Sequence, residues 1–263
     1  MTLAIVPPEI TNAILALALA APRMMVALSL LPFFARQSMT RIMVSAVASV
    51  ITIPVIPSVM VQMPANMDTF WVMGTILKES AIGLFIGFAV AIPFWAAQAM
   101  GDLIDNQRGA SMAQISNPST GEMATPMGLL FNLAFSILFV LSGGLGLLIN
   151  MVYDSYLAWP VVGWIPSFDS AFPTHMLNML DRLTALAILF AAPAIIVMLV
   201  SELALAFVSL FAPQLQVFFL AMPIKSGVAT VILLACLYSI VEAMMSESQH
   251  IRDVLPALQS VVR

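Results

Sequence analysis

The chain has 263 residues, of which 62% are hydrophobic and only 8% charged, with a mean hydropathy of +1.05 and a formal net charge of -4. Soluble domains carry about a quarter charged residues, so nine Lys plus Arg and thirteen Asp plus Glu cannot clothe a water-exposed globule of this length. The composition points to an all-α integral membrane protein, and the small, dispersed charge excludes a basic stripe for nucleic acid or an acidic tail.

The first residues, MTLAIVPPEI, lack the positive n-region of a cleavable signal, so insertion through uncleaved helices is expected. A charge-free stretch of about 20 residues suffices to cross a hydrocarbon core about 30 Å thick, so the gaps between charges mark the spans. The first predicted helix covers 11–34 and is interrupted only by Arg23. A tight connection at 35–41 holds Arg36 and Arg41, and a second helix follows over 42–61. A third covers 71–100, ahead of a long polar insert at 101–124. The fourth covers 125–153, and the long connection 154–181 carries turn residues Pro160, Gly163, Pro166 and Pro173, with Tyr156, Trp159 and Trp164 suited to an interfacial belt. Two last helices, 182–211 and 215–245, are separated by a tight turn, and 246–263 forms a polar tail. Cys236 lies in an apolar run and is read as packing. Arg36, Arg41 and Arg108 place their loops on the cytoplasmic side by the positive-inside rule, with both termini outside.

Several features argue against helices bathed only in lipid. Arg23, Lys78, Glu79, Glu202 and Lys225 sit in or at the ends of apolar segments, where ionised groups face protein or water. Prolines 54, 57, 93, 193 and 223 free backbone carbonyls that neighbouring helices can satisfy and lipid cannot. The chain therefore reads as one part of an assembly. Glu202 and Lys225 lie eleven residues before and twelve after Pro213, which gives them similar depth in an antiparallel hairpin. They are expected to pair with each other or with a neighbouring subunit.

The least uniform stretch is Gly101-Asp102-Leu103-Ile104-Asp105-Asn106-Gln107-Arg108-Gly109-Ala110-Ser111-Met112, followed by Asn117-Pro118-Ser119-Thr120-Gly121-Glu122. Gly109 and Gly121 allow tight turns, Asn117-Pro118 starts one, and the polar groups can hold irregular backbone that lines a cavity or is buried in protein. Arg108 is placed to anchor this segment through Asp102, Asp105 or another subunit. With 20 methionines in the chain, Met112, Met123 and Met127 stand out as flexible side chains able to line a deformable seal.

The pattern I-D-N-Q-R-G-x-S with N-P-x-x-G-E downstream, together with FFLAMPIKS at 218–226, resembles the SctT/FliR family of type III secretion export apparatus proteins, in particular the injectisome branch. The order of elements and the length agree over nearly the whole chain. The resemblance implies a noncatalytic pore component of the bacterial inner membrane. Its helical hairpins would lie within a hetero-oligomeric export gate set largely above the bilayer plane. The partners implied are the P-type and Q/S-type export apparatus membrane proteins and the U/B-type switch protein, with unfolded secreted polypeptides in transit. The family pattern divides the chain into a P-like part over 1–181 and a Q/S-like hairpin over 182–245. It also implies that the loop from Asp105 through Glu122 plugs the closed channel: Asp105, Asn106, Gln107, Arg108, Gly109, Ser111, Met112, Asn117, Pro118, Gly121 and Glu122 are its candidate gating residues.

No phosphate-binding loop is present, and neither His175 nor His250 sits in a ligand-spaced cluster, so no cofactor, metal or catalytic group is expected. Two other classes compete. A secondary transporter of a small solute would use Glu79, Glu202 and Lys225 at broken helices, although the halves show no convincing repeat. A membrane enzyme would draw on Asp102, Asp105 and Glu122, which no second acidic cluster completes.

Overall fold

A computed structural model describes residues 7–34, 39–64, 67–110, 115–116, 123–163, 172–212 and 217–250. The all-α expectation holds, with eight α-helices among these residues. Helix α1, Pro8–Ser29, begins with proline in its first turn, where the missing N–H costs nothing, and Glu9 complements the helix dipole. Helix α2, Arg41–Thr52, is capped by the Thr40 hydroxyl, which accepts from the Met43 amide. Pro54 and Pro57 each withdraw a backbone donor, so the single helix expected over 42–61 is split by a 3-10 turn at Ile53–Val55 before α3, Ile56–Gln62.

Helix α4, Thr69–Gln107, continues past Pro93 and past the expected end at 100, because nothing from Gly101 to Gln107 breaks a helix. It stops at Gly109, whose φ of 78° terminates it in the left-handed conformation. The insert expected as loop over 101–124 is therefore helical for its first seven residues. Further on, Ile115↔Ala124 and Ser116↔Met123 pair as a two-residue antiparallel ladder. Helix α5, Pro126–Leu141, takes Thr125 as its cap, and α6, Gly144–Ala158, follows. The single helix expected over 125–153 is thus two, because Gly143 adopts φ 79° between them. Helix α7, Phe172–Phe211, starts ten residues before the expected 182, which shortens the connection expected at 154–181. Helix α8, Val217–His250, runs into the segment read as a polar tail. Polar residues alone did not end either helix.

The chain divides into two compact units, neither of them continuous in sequence. In the first, built around α1, α2, α3, the part of α4 up to Ala91 and α6, the side chains of Leu19, Met24, Leu28, Ile86 and Leu148 are fully buried. Here α1 and α4 approach closely: a Cβ on Gly83 would collide with the Arg23 backbone, and one on Gly87 would lie 2.8 Å from the Ala27 carbonyl oxygen. Glycines four apart offer the flat strip that lets two apolar helices touch. The second unit covers Ile92–Ser142 and Asn178–Gln249. In its core Phe94 meets Phe135 and Phe139 edge-on, with centroids 4.7 and 5.0 Å apart.

Among the described residues, five helical stretches are long and apolar enough to cross a membrane: α1, α2 with α3, α4, α7 and α8. Helices α5 and α6 meet the same test as one span broken between them, which makes six.

Candidate functional site

Three polar constellations stand out from the apolar background, and each ties together separate helices. The first lies in the first unit, where Arg23 and Glu79 are wholly buried. Glycine contacts bring α1 against α4 one turn beyond Glu79, so the Arg23 guanidinium meets the carboxylate as a two-pronged pair. Nε donates to Oε2 at 2.8 Å and Nη2 to Oε1 at 3.0 Å. Arg23 also donates through Nη1 to the Ser155 hydroxyl at 2.9 Å and through Nη2 to the Trp159 carbonyl at 2.8 Å, and it lies over the Tyr156 ring at 4.2 Å. Lys78 pairs with Glu79 through the same Oε1, at 3.2 Å. Its ammonium donates to the carbonyls of Pro160, Val161 and Gly163 at 3.0, 2.6 and 3.1 Å. The three buried charges are thereby fully engaged, and they fix the end of α6 and the turn after it to α4.

The second constellation is the root of the polar insert, in the second unit. Asp102 and Asp105, three apart on the last turns of α4, point along one face toward the start of α5. Asp102 Oδ1 accepts from the Thr125 amide at 3.1 Å and from its hydroxyl at 2.8 Å, and Asp105 Oδ2 accepts from the Met127 amide at 2.9 Å. The Thr125 hydroxyl in turn accepts from the Gly128 amide. These are the amides that a helix leaves without internal partners at its start, and carboxylates suit its positive end. Arg108 pairs with Asp105, as expected of one of its two nearby carboxylates. Gly101 abuts the Met127 and Gly128 backbone so closely that no side chain fits between. The segment leaves α4 and enters α5 at one tightly fastened point, and its strands pair just beyond it.

The third constellation, also in the second unit, joins Lys225 of α8 to Glu202 of α7 at 2.7 Å, the pairing within the hairpin that their spacing anticipated. Arg182 and Glu247 form a further link between the same two helices at 2.7 Å.

Of the predicted gating residues, Asp105, Asn106 and Gln107 form the last turn of α4, and Arg108 and Gly109 the turn that follows. Ser111, Met112, Asn117, Pro118, Gly121 and Glu122 lie outside the described residues, as does Arg36. Sequence reasoning missed Asp102 and Asp105 as caps of α5, although Thr125-Pro126 is a readable helix start. It also missed Ser155 and the carbonyls of 159–163. His175, within the connection expected at 154–181, lies in the first turns of α7.

Apolar spans, buried ion pairs satisfied by neighbouring helices and a polar excursion fastened at its root define a multi-pass α-helical membrane protein. The family of bacterial export proteins, family 1, matches residues 14–251, and the chain belongs to it. The chain is 36% identical over 213 residues to Yop proteins translocation protein T of Yersinia pestis, covering 81% of this chain and 82% of that protein. It is 37% identical over 179 residues to secretion system apparatus protein SsaT of Salmonella typhimurium, covering 67% and 68%. To flagellar biosynthetic protein FliR of Bacillus subtilis it is 30% identical over 162 residues, covering 61% and 62%. The resemblance to the injectisome branch of the SctT/FliR family is thus established. The protein is a multi-pass component of a bacterial protein export apparatus in the inner membrane.

Proposed function

We propose that the chain is a noncatalytic core component of the type III export gate, forming part of the channel through which unfolded polypeptides cross the inner membrane. In this reading the segment from Asp105 through Glu122 is the plug. The observation that carries it is the root of that segment: Asp102 and Asp105 clamp the start of α5 to the end of α4, so the chain between them can move only as a tethered unit. A solvated connector needs no such fastening. Energy for transport comes from elsewhere in the machine.

The partners in this reading are the P-type and Q/S-type membrane proteins, with the U/B-type switch protein alongside. The P-like part over 1–181 and the Q/S-like hairpin over 182–245 would each present apolar faces to these neighbours. The exposed Leu189, Ile196, Leu203, Phe207 and Leu234 of α7 and α8 provide such a face. Transport of a small solute finds less support, because Glu79 is enclosed by Arg23 and Lys78, and Lys225 is engaged by Glu202.

The test is co-expression with the P-type and Q/S-type proteins, with native mass spectrometry of the detergent-extracted material and ion leakage of the host membrane as the two readouts. Deleting residues 111–122 is expected to leave the hetero-oligomer intact and make the membrane leaky. An intact barrier after that deletion rejects the plug, and a monomer of the unaltered chain rejects the gate.

A further inference from the structure

The function of the polar segment leaves the third constellation unexplained, and its contacts extend beyond the Glu202 pair. The Lys225 ammonium also reaches the carbonyl of Gln107, the last residue of α4, at 3.5 Å. One turn earlier on the same face of α8, Met222 lies against Gly109: a Cβ at Gly109 would be 3.7 Å from Met222 Cγ. Gly109 is where α4 ends in the left-handed conformation and the polar segment departs. A cation at a helix C-terminus faces the negative end of the helix dipole. Lys225 is largely buried, whereas Glu202 is half-exposed and holds the ammonium from α7. Three elements of the second unit therefore converge on one nitrogen. Between the two contact residues stands Pro223, which withdraws one backbone hydrogen bond from α8 at this level.

We infer that Lys225 is a positioning residue for the plug: with Met222 it latches the departing end of the polar segment, at Gln107–Gly109, to the α7–α8 hairpin, and export requires this latch to part. The inference rests on the plug reading and names what holds the plug shut. The carboxylate clamp at Asp102 and Asp105 fastens the root permanently, whereas the latch uses a single cation and one flexible thioether, contacts that separate without exposing a buried carboxylate. A displacement of the hairpin would thus be transmitted to the plug.

Two variants test it in the assembled complex. Lys225→Met keeps the aliphatic stem and removes the charge. It is expected to raise resting ion leakage by about tenfold, the change that loss of one charge-assisted contact produces in a closed-to-open ratio, with the hetero-oligomer intact by native mass spectrometry. Lys225→Arg, which retains the cation, is expected to stay near the parent. Parent-level leakage in Lys225→Met, in a background where deletion of 111–122 does leak, overturns the latch and leaves the plug standing. If that deletion does not leak, the plug reading itself fails and the latch with it.

Should Lys225→Met fail to assemble, a second pair decides. Gly109→Cys with Met222→Cys, in a Cys236→Ala background, sets one thiol near the present position of Met222 Cγ, 3.7 Å from where a Cβ at residue 109 would stand. Oxidation is expected to stop secretion and dithiothreitol to restore it. Undiminished secretion with the crosslink complete, or failure of the crosslink to form, overturns the proposal.

Discussion

Arg23 shows what a buried charge requires in an apolar chain. Its guanidinium has five N–H donors, and the fork that meets Glu79 leaves other N–H groups for Ser155 and the Trp159 carbonyl. Lysine at this position has no fork and cannot bridge these partners at once. Arg23→Lys is therefore expected to lower the thermal unfolding midpoint of the purified complex in detergent, although charge is conserved. Glu79→Gln removes the carboxylate that stands between the buried Arg23 and Lys78. Removing one partner of such a group costs about 3–5 kcal/mol, so this variant is expected to accumulate poorly in the membrane, which quantitative immunoblotting would register. Recovery of its level in the double variant Arg23→Met, Glu79→Gln would show that the unpaired cation, and not lost packing, is the cause.

At the scale of elements, the closeness of α1 and α4 depends on residues that have no side chain. Gly83 faces the Arg23 backbone, whereas Gly74 on the same helix has nothing within 4 Å of where its Cβ would stand. Gly83→Ala must push backbone against backbone, an overpacking that costs about 1–3 kcal/mol, while Gly74→Ala is expected to leave stability unchanged or raise it. Thermal unfolding of the two variants side by side checks the contrast. The helices were legible in the sequence wherever a gap between charges marked a span. Their ends were not, because the polar residues among Asp102 to Gln107 and Phe172 to Asp181 do not break a helix, and because Gly143 interrupts an apolar run with no change of composition. Partners close to a turn or on one helix were also legible, as Glu202 with Lys225 and Asp105 with Arg108 demonstrate. Arg23 and Glu79 are 56 residues apart, and no local pattern links them. The Gly83-x-x-x-Gly87 spacing was the available signal that the two helices meet.

At the scale of the molecule, α7 poses a question of length. Its 40 residues span about 60 Å, twice the thickness of a hydrocarbon core. Yet exposed apolar side chains run along it from Leu177 and Leu180 to Phe207 and Phe211. A tilt of up to about 40° does not bring both ends into lipid, so protein must cover part of this face. Spin labels at Leu180→Cys and Phe211→Cys, about 46 Å apart along the helix, are expected to differ: at most one should be accessible to lipid-dissolved oxygen in the assembled complex. Accessibility of both would mean that α7 lies wholly in the bilayer. The carboxylate clamp at the start of α5 has a kinetic consequence. In the proposed plug reading, a stopper secured at both ends stays in the vicinity of its seat, so that reclosure after each passage would be a first-order event at an effective concentration in the millimolar range. On that proposal the barrier re-forms between successive cargo molecules at a rate independent of how many gates the cell contains.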